Sequence, residues 1–303
     1  MKTLRIPYGL NQTGELISAE HALKNTNYSC PFCRVQLVLR AGEVKIKHFA
    51  HQPSSKCSLE SVLHITAKKL IQSVIIKNAT DNQRITLESS CSGCGENLLI
   101  NLPIGTFSNA ELETKIGKYR SDVVGFRDNS IALAIEICNT HAVDQIKAEE
   151  LEAHWIELKA EDVIINPTKW FPTQSNLKDT YCVSCKKYIN HVLEIANKYD
   201  IDRSLYSLTL TSPQQTYIAG IETCFKCKQE IPVFWWPGVP FCQFKPPSPM
   251  PKTIKYRKSK QFGDSYWLNT CANCNMTQGD NYLHLSNRSL FKGRPILFHI
   301  HYP

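Results

Sequence analysis

Ten of the thirteen cysteines fall in five Cys-x-x-Cys pairs: Cys30/Cys33, Cys91/Cys94, Cys182/Cys185, Cys224/Cys227 and Cys271/Cys274. Two thiolates at this spacing sit on one tight turn and present one face of a tetrahedral ion, so the pattern reads as structural zinc rather than disulfides. A chain built this way must fold so that each pair meets further ligands from distant sequence. Such usage belongs to a reducing compartment, and MKTLRIPYGLNQTGE at the N-terminus lacks the long apolar stretch of a secretory signal. No apolar run approaches membrane-spanning length. The expectation is a cytoplasmic protein with no membrane segment.

The ligand sets follow from spacing. Cys30, Cys33 and Cys57 need one histidine; His51, nearer to Cys57, is preferred to His48, and the choice stays open. A redox dithiol at Cys30/Cys33 would need a strand and helix framing the pair, which the pattern lacks. Cys91 and Cys94 are expected to share one ion with Cys182 and Cys185, since no histidine lies at ligand spacing beside either pair; separate partners are the alternative. Cys224, Cys227, Cys271 and Cys274 adjoin aromatic strands and read as a zinc ribbon. About three structural zinc ions per chain result. These closed sets leave no open coordination position, and no His-Glu-x-x-His run exists, which argues against a zinc hydrolase.

Between the second and third pairs lies YRSDVVGFRDNSIALAIEICNTH, residues 119–141. Its two apolar runs have the two-residue period of strands and are joined by the turn-forming Asp128-Asn129-Ser130. A three-residue loop would put Asp122 opposite Glu136, about 5 Å apart on one face, close enough to hold one divalent ion, although the register is not fixed by sequence. A carboxylate in an apolar strand is costly to bury unless a metal, a hydrogen bond or a counter-charge meets it. Taken alone, the hairpin favours the reading of two satisfied or edge-exposed polar residues on a half-wet sheet.

Upstream, LESVLHITAKKLIQSVIIKN has helical spacing, with Glu60, His64 and Lys68 four apart on one stripe; favourable i,i+4 pairs on a solvated face would give the same pattern. Downstream, AVDQIKAEELEAHWIELKAEDVI reads as a helix and a strand, WFPTQSNLKDTY as a linker, and KKYINHVLEIANKYD as a helix. The order helix, three strands, helix, strand gives an α/β class with a small mixed sheet flanked by helices. Length suits three segments: an N-terminal zinc-binding β module over 1–58, a core over 59–205 and a zinc ribbon over 206–303. The formal charge of +8 suits a polyanionic partner. The Pro-rich basic stretch with Lys255, Tyr256, Arg257, Lys258 and Lys260 could contact phosphates or simply solubilise a loop.

The run CPFC, HFAH, Cys57, ESVLH with Lys68, then YRSDVV, IALAIEI and THAVDQIK, resembles the competence protein CoiA-like family over roughly residues 4–190. The core of that family belongs to the PD-(D/E)XK nuclease superfamily. The resemblance implies a restriction-endonuclease-like core in which Glu60, Asp122 and Glu136 match the acidic positions and the last two hold Mg2+ or Mn2+. It implies a metal-dependent endonuclease acting on DNA, in uptake, recombination or defence, often as a homodimer. The superfamily pattern places Lys two residues after the second acid, and CoiA-like proteins often have Gln there; this chain has Cys138. A thiol is no cation, so the charge must come from elsewhere, with Lys147 and Lys68 the candidates and His141 or His64 assisting. A relic core serving as a DNA-binding or assembly module is the alternative.

Overall fold

The computed structural model describes residues 5–42, 46–52, 57–139, 144–208, 217–259 and 262–291. The chain divides into two compact units, residues 1–89 with 99–178 and residues 90–98 with 179–303. The division departs from the three segments expected. The N-terminal module and the core form one unit because Val62, on the helix that opens the core, is buried among the module's own apolar residues. The four-cysteine segment goes with the ribbon.

The first unit begins with β1 (Tyr8–Leu10), β2 (Leu16–Ser18), β3 (Tyr28–Ser29), β4 (Gln36–Arg40) and β5 (His48–Ala50), an antiparallel sheet ordered β2-β1-β3-β4-β5. Tyr28 and Phe49 anchor it, with ring centroids 5.0 Å apart. Gly9 lets them close: a Cβ there would lie 3.2 Å from both the Phe49 ring and Tyr28.

Helix α1 (Leu59–Thr80) starts where Ser58 Oγ accepts the Ser61 N–H at 3.1 Å, an N-cap that satisfies one orphan donor. Strands β6 (Ile85–Ser90) and β7 (Asn97–Leu102) follow, then β8 (Asn109–Ile116), β9 (Tyr119–Arg127) and β10 (Ser130–Cys138). Helix α2 (Gln145–Glu150), capped by Asp144, crosses to β11 (Trp155–Lys159); α3 (Ala160–Ile165), β12 (Lys169–Trp170) and β13 (Pro172–Ser175) complete the unit. The main sheet is ordered β13-β11-β10-β9-β8, with β10 and β11 parallel and the other pairs antiparallel. A smaller sheet is ordered β12-β6-β7. The stretch read as a linker is thus partly structural: Pro172–Ser175 is an edge strand, and Trp170 is fully buried.

Alternation divides the main sheet's side chains. Val123, Ile135, Ile137, Ile156 and Leu158 share a core with Ala67, Leu70, Ile71, Val74 and Ile75 of α1. Val124, Ala134 and Trp155 pack with Leu151, just past α2. At about 1.5–3 kcal/mol per fully buried large aliphatic side chain, this burial is what pins a sheet of short strands. The expected mixed α/β class holds, with a small mixed sheet flanked by helices.

The second unit contains α4 (Val183–Lys198), β14 (Tyr206–Ser207), β15 (Tyr217–Thr223), β16 (Glu230–Trp235) and a hairpin of β17 (Ile254–Lys258) and β18 (Ser265–Asn269). Tyr206, Tyr217, Phe234 and Trp236 form its core with Val192 and Ala196 of α4. The basic stretch read as a loop is therefore strand β17 over Ile254–Lys258. Among the described residues no helix is long and apolar enough to cross a membrane.

Candidate functional site

The acids meet through a local irregularity. Strands β9 and β10 are joined by Asp128 and Asn129 alone, with φ of 48° and 65°, the left-handed pair of a tight hairpin turn. Pairing runs Arg127↔Ser130 and Phe126↔Ile131, then jumps to Gly125↔Leu133. Ala132 is the extra residue of a bulge. A two-residue turn without that bulge would set Asp122 against Ile135; with it, Val123 pairs Ile135 as the last rank of the ladder, and Asp122 and Glu136 each come one residue beyond. Each acid thus lies one residue past the last paired rank, brought there by a two-residue turn and a bulge rather than by a three-residue loop.

The regular ladder between β9 and β10 stops at Val123↔Ile135. Beyond it the Ile137 N–H donates to Asp122 Oδ2 at 2.8 Å, so a side chain takes the place of a strand carbonyl. His64 Nε2 lies 3.2 Å from the same oxygen and 2.9 Å from Ile137 O. Both neighbours are acceptors, so Nε2 carries the proton. Lys68, buried on the same helix, reaches Asp122 Oδ1 at 2.8 Å and also bonds Glu113. Burial works to raise the Asp122 pKa, but the bonds from His64, Lys68 and the Ile137 amide outweigh it and hold it down at about 2. The stripe Glu60, His64, Lys68 is thus no solvated face over its last two members.

Glu136 has its own cation. Lys147 Nζ, on α2, lies 2.7 Å from Glu136 Oε2 and donates to Arg120 O at 2.8 Å, while Ser121 Oγ donates to Glu136 Oε1. Burial pushes the Glu136 pKa up against these bonds. Both lysines expected near the site are present, one on each acid. Among the described residues, the groups of three or more donor residues close enough to hold an ion are the three cysteine sets; Asp122 and Glu136 are not in such a group.

Register sets a further acid beside each of the two. Glu113 lies between Leu112 and Thr114, which pair Val123 and Ser121, and so stands across from Asp122; Glu136 pairs Glu157 on β11. Glu157 is buried and accepts from Thr173 Oγ1. Two residues on, Cys138 pairs Lys159. Cys138 is half-buried; burial and the neighbouring Glu157 push its thiol pKa up, away from the thiolate. Glu60 stands one helical turn before His64 on α1. It lines a cavity of about 210 Å³ with Leu63, Cys138, Asn139 and Lys159, and its carbonyl accepts from Asn139 Nδ2 at 3.0 Å. Glu113, Glu157, Lys159 and Ser121 escaped sequence reading. The only signal was WIELK, an acid and a base on a strand that looks like a wet face. His141 lies outside the described residues.

All three cysteine sets assemble, and with the expected members. Cys30, Cys33, His51 and Cys57 form one group; Cys91, Cys94, Cys182 and Cys185 a second; Cys224, Cys227, Cys271 and Cys274 a third, with ligand atoms within 4.8 Å of one another in each. Zn–S bonds of about 2.3 Å in a tetrahedron require S···S near about 3.8 Å. The Sγ atoms of Cys30 and Cys57 are 3.9 Å apart, Cys94 and Cys182 3.9 Å, Cys224 and Cys274 3.7 Å, Cys227 and Cys271 3.6 Å. His51 Nε2 lies 3.2 Å from Cys33 Sγ, whereas His48 Nδ1 lies 2.9 Å from Ile46 O. Four pairs share one turn, in which the residue after the second cysteine is left-handed: Arg34, Gly95, Lys228 and Asn275, at φ of 64°, 77°, 59° and 60°. The fifth pair opens α4 instead, where Cys182 is the N-cap and its Sγ accepts the Cys185 N–H at 3.4 Å. The donor sets fit zinc, and each could hold one ion.

On β17, Lys255, Tyr256 and Lys258 are exposed, while Arg257 donates to Asn275 O at 2.7 Å and to Asn275 Oδ1 at 2.8 Å, tying the strand to the second ribbon turn. Lys260 lies outside the described residues.

Residues 13–60 match the family model for the N-terminal domain of the competence protein CoiA. That span contains the whole Cys30, Cys33, His51, Cys57 group. No curated protein and no solved structure matches the chain. Over residues 13–60 the chain is thus similar to the N-terminal domain of the competence protein CoiA.

Proposed function

We propose that the first unit is a nuclease domain of the PD-(D/E)XK type that hydrolyses DNA phosphodiesters with Mg2+ or Mn2+. The observation that carries the reading is the end of the β9/β10 ladder, where Asp122 and Glu136 each lie one residue past the last pair and the Ile137 amide is turned to a carboxylate. The order α1, β8, β9, β10, α2, β11, with β6 and β7 inserted after α1 and β11 parallel to β10, supports it, since this is the order of the superfamily core.

Asp122, Glu136 and the Ile137 carbonyl are hard oxygen donors suited to such an ion, and Glu157 adds a further carboxylate in the next rank. A divalent ion held there would polarise water and neutralise charge on the phosphate. For these oxygens to take it, Lys68 and His64 must release Asp122 and Ile137 O, and Lys147 must release Glu136. The freed ammonium groups then lie beside the scissile phosphate and meet its growing negative charge. Glu60, at the mouth of the adjoining cavity, orients water. One water adds across one P–O ester bond, leaving a phosphate monoester and a hydroxyl. Exposed Lys255, Tyr256 and Lys258 are proposed to contact DNA through phosphates and one stacking ring, and the three zinc ions are structural.

Asp122→Ala and Glu136→Ala should each abolish Mg2+-dependent cleavage of plasmid or single-stranded DNA while the fold, read by circular dichroism, is retained. Unchanged cleavage by both variants would refute the assignment. One observation favours the alternative of an inactive DNA-binding or assembly module: both carboxylates are neutralised by lysines, and Cys138 is no cation. Titration of Mn2+ onto zinc-loaded protein separates the two, because a relic site binds none.

A further inference from the structure

Neither lysine so far placed in the site is free to serve a water or a phosphate without first leaving a carboxylate. Lys68 is buried between Asp122 and Glu113, and Lys147 is held by Glu136 and the Arg120 carbonyl. A different cation has the right address. Strand β11 runs parallel to β10 with Glu136↔Glu157, Ile137↔Leu158 and Cys138↔Lys159 in register. The sequence Glu157-Leu158-Lys159 therefore repeats, one strand over, the acid-x-lysine pattern that Glu136-Ile137-Cys138 leaves incomplete.

Partners in a parallel pair point to the same face, and adjacent strands lie about 4.8 Å apart, within the reach of a lysine's four-carbon stem. Lys159 lines the cavity of about 210 Å³ that Cys138, Asn139 and Glu60 also line. It is exposed, it caps no helix N–H although it precedes α3, and it makes no ion pair among the described residues. Cys138, by contrast, is turned to Glu157 and has no charge to give.

We infer that Lys159 supplies the cation missing at position 138: its ammonium reaches over Cys138 from the neighbouring strand and holds the attacking water and the scissile phosphate of a nucleic acid lying in this cavity. The inference rests on the nuclease reading. It adds Lys159 to Lys68 and Lys147, which meet the phosphate only once the acids release them, and places Glu157 in the wall of the site beside Glu136.

The test uses the full zinc-loaded chain with Lys159→Ala, Lys159→Arg, the double variant Lys159→Ala/Cys138→Lys, and Asp122→Ala. Lys159→Ala should lose at least about 100-fold in Mn2+-dependent cleavage, the scale of removing one charge-stabilising group, with Mn2+ affinity from calorimetry within about twofold of the parent. Lys159→Arg should retain more activity than the alanine variant. Cys138→Lys should restore at least about tenfold in the Lys159→Ala background, because it returns an ammonium to the same rank. If Asp122→Ala is inactive while Lys159→Ala cleaves within about threefold of the parent, the role of Lys159 is overturned and the nuclease reading stands. If Asp122→Ala cleaves normally, the nuclease reading itself falls. Should the parent cleave no substrate tried, binding of a fluorescent duplex in Ca2+ is read instead, and equal affinity of parent and Lys159→Ala overturns the inference.

Discussion

Lys68→Met removes the ammonium that joins Asp122 to Glu113 and leaves an unbranched chain of similar length. The perturbation falls on a residue only 5% exposed whose Nζ lies 2.8 Å from Asp122 Oδ1. Breaking a buried ion pair by deleting one partner costs about 3–5 kcal/mol, because the remaining charge stays behind. Asp122 keeps the His64 and Ile137 donors, and Glu113 is nearly half exposed and can rehydrate. The lower end therefore applies, about 3 kcal/mol. At about 2–4 °C per kcal/mol for a domain of this size, the first unit should melt about 6–12 °C lower. Urea and thermal melts at pH 7.5 read the loss, and a cycle with Asp122→Asn should return a coupling of at least about 1 kcal/mol. Mn2+ makes the test specific to a metal site. With Lys68 gone the acids carry more uncompensated charge, so Lys68→Met should bind Mn2+ more tightly than the parent and regain about 2.7 kcal/mol at about a hundredfold excess over Kd. A loss under about 1 kcal/mol with additive single variants would refute the buried-pair reasoning. A full loss with no Mn2+ stabilisation in either protein would leave a structural ion pair and no metal site.

Asp280, buried and accepting the Phe241 N–H at 2.7 Å, has its pKa pushed up to about 7 by burial. A carboxyl raised in the folded state binds more protons than the unfolded chain between about pH 4 and 7, so its contribution to stability falls as pH rises through that window and then levels. Asp280→Asn keeps an acceptor and sheds the charge; its advantage over the parent in urea melts should widen from pH 6 to 8 and reach a few kcal/mol, and a constant difference would contradict this. Gly125→Ala would place a Cβ 2.7 Å from the Phe107 ring, an overpacking worth about 1–3 kcal/mol, and Phe107→Leu should relieve part of it. For zinc, metal analysis of chelator-free protein should return about three ions per chain, and Cys224→Ser should lose one together with the cooperative melt of the second unit; one ion or none in the parent would refute the count.

Much of the chain was readable because its signals are local. A Cys-x-x-Cys turn is closed by its own backbone, as in Arg34 N–H to Cys30 O at 3.1 Å and Lys228 N–H to Cys224 O at 2.8 Å, so spacing alone marks the ligands. Likewise, two-residue alternation marks β9 and β10, and helical spacing marks α1, since each reflects which face of one element is buried. The pairing of cysteine turns separated by some ninety residues was reachable only by elimination; the fold, by bringing Cys94 Sγ within 3.9 Å of Cys182 Sγ, makes it physical.

The rest depends on contacts between elements, which residue order does not encode. The bulge at Ala132 set the register that pairs Val123 with Ile135 and brings both acids to the end of one ladder, yet no residue type announces a bulge. Trp170 and Pro172–Ser175 looked like a linker because the strand is short, begins with proline and lies at a sheet edge. Lys159 looked like a solvated strand end until parallel pairing placed it beside Cys138. The sequence by itself determined the chemistry available: acids in apolar strands, lysines on the flanking helices, thiols in pairs. Only the tertiary structure decided which acid meets which cation, because those meetings are fixed by strand register and helix packing across the sheet rather than by distance along the chain.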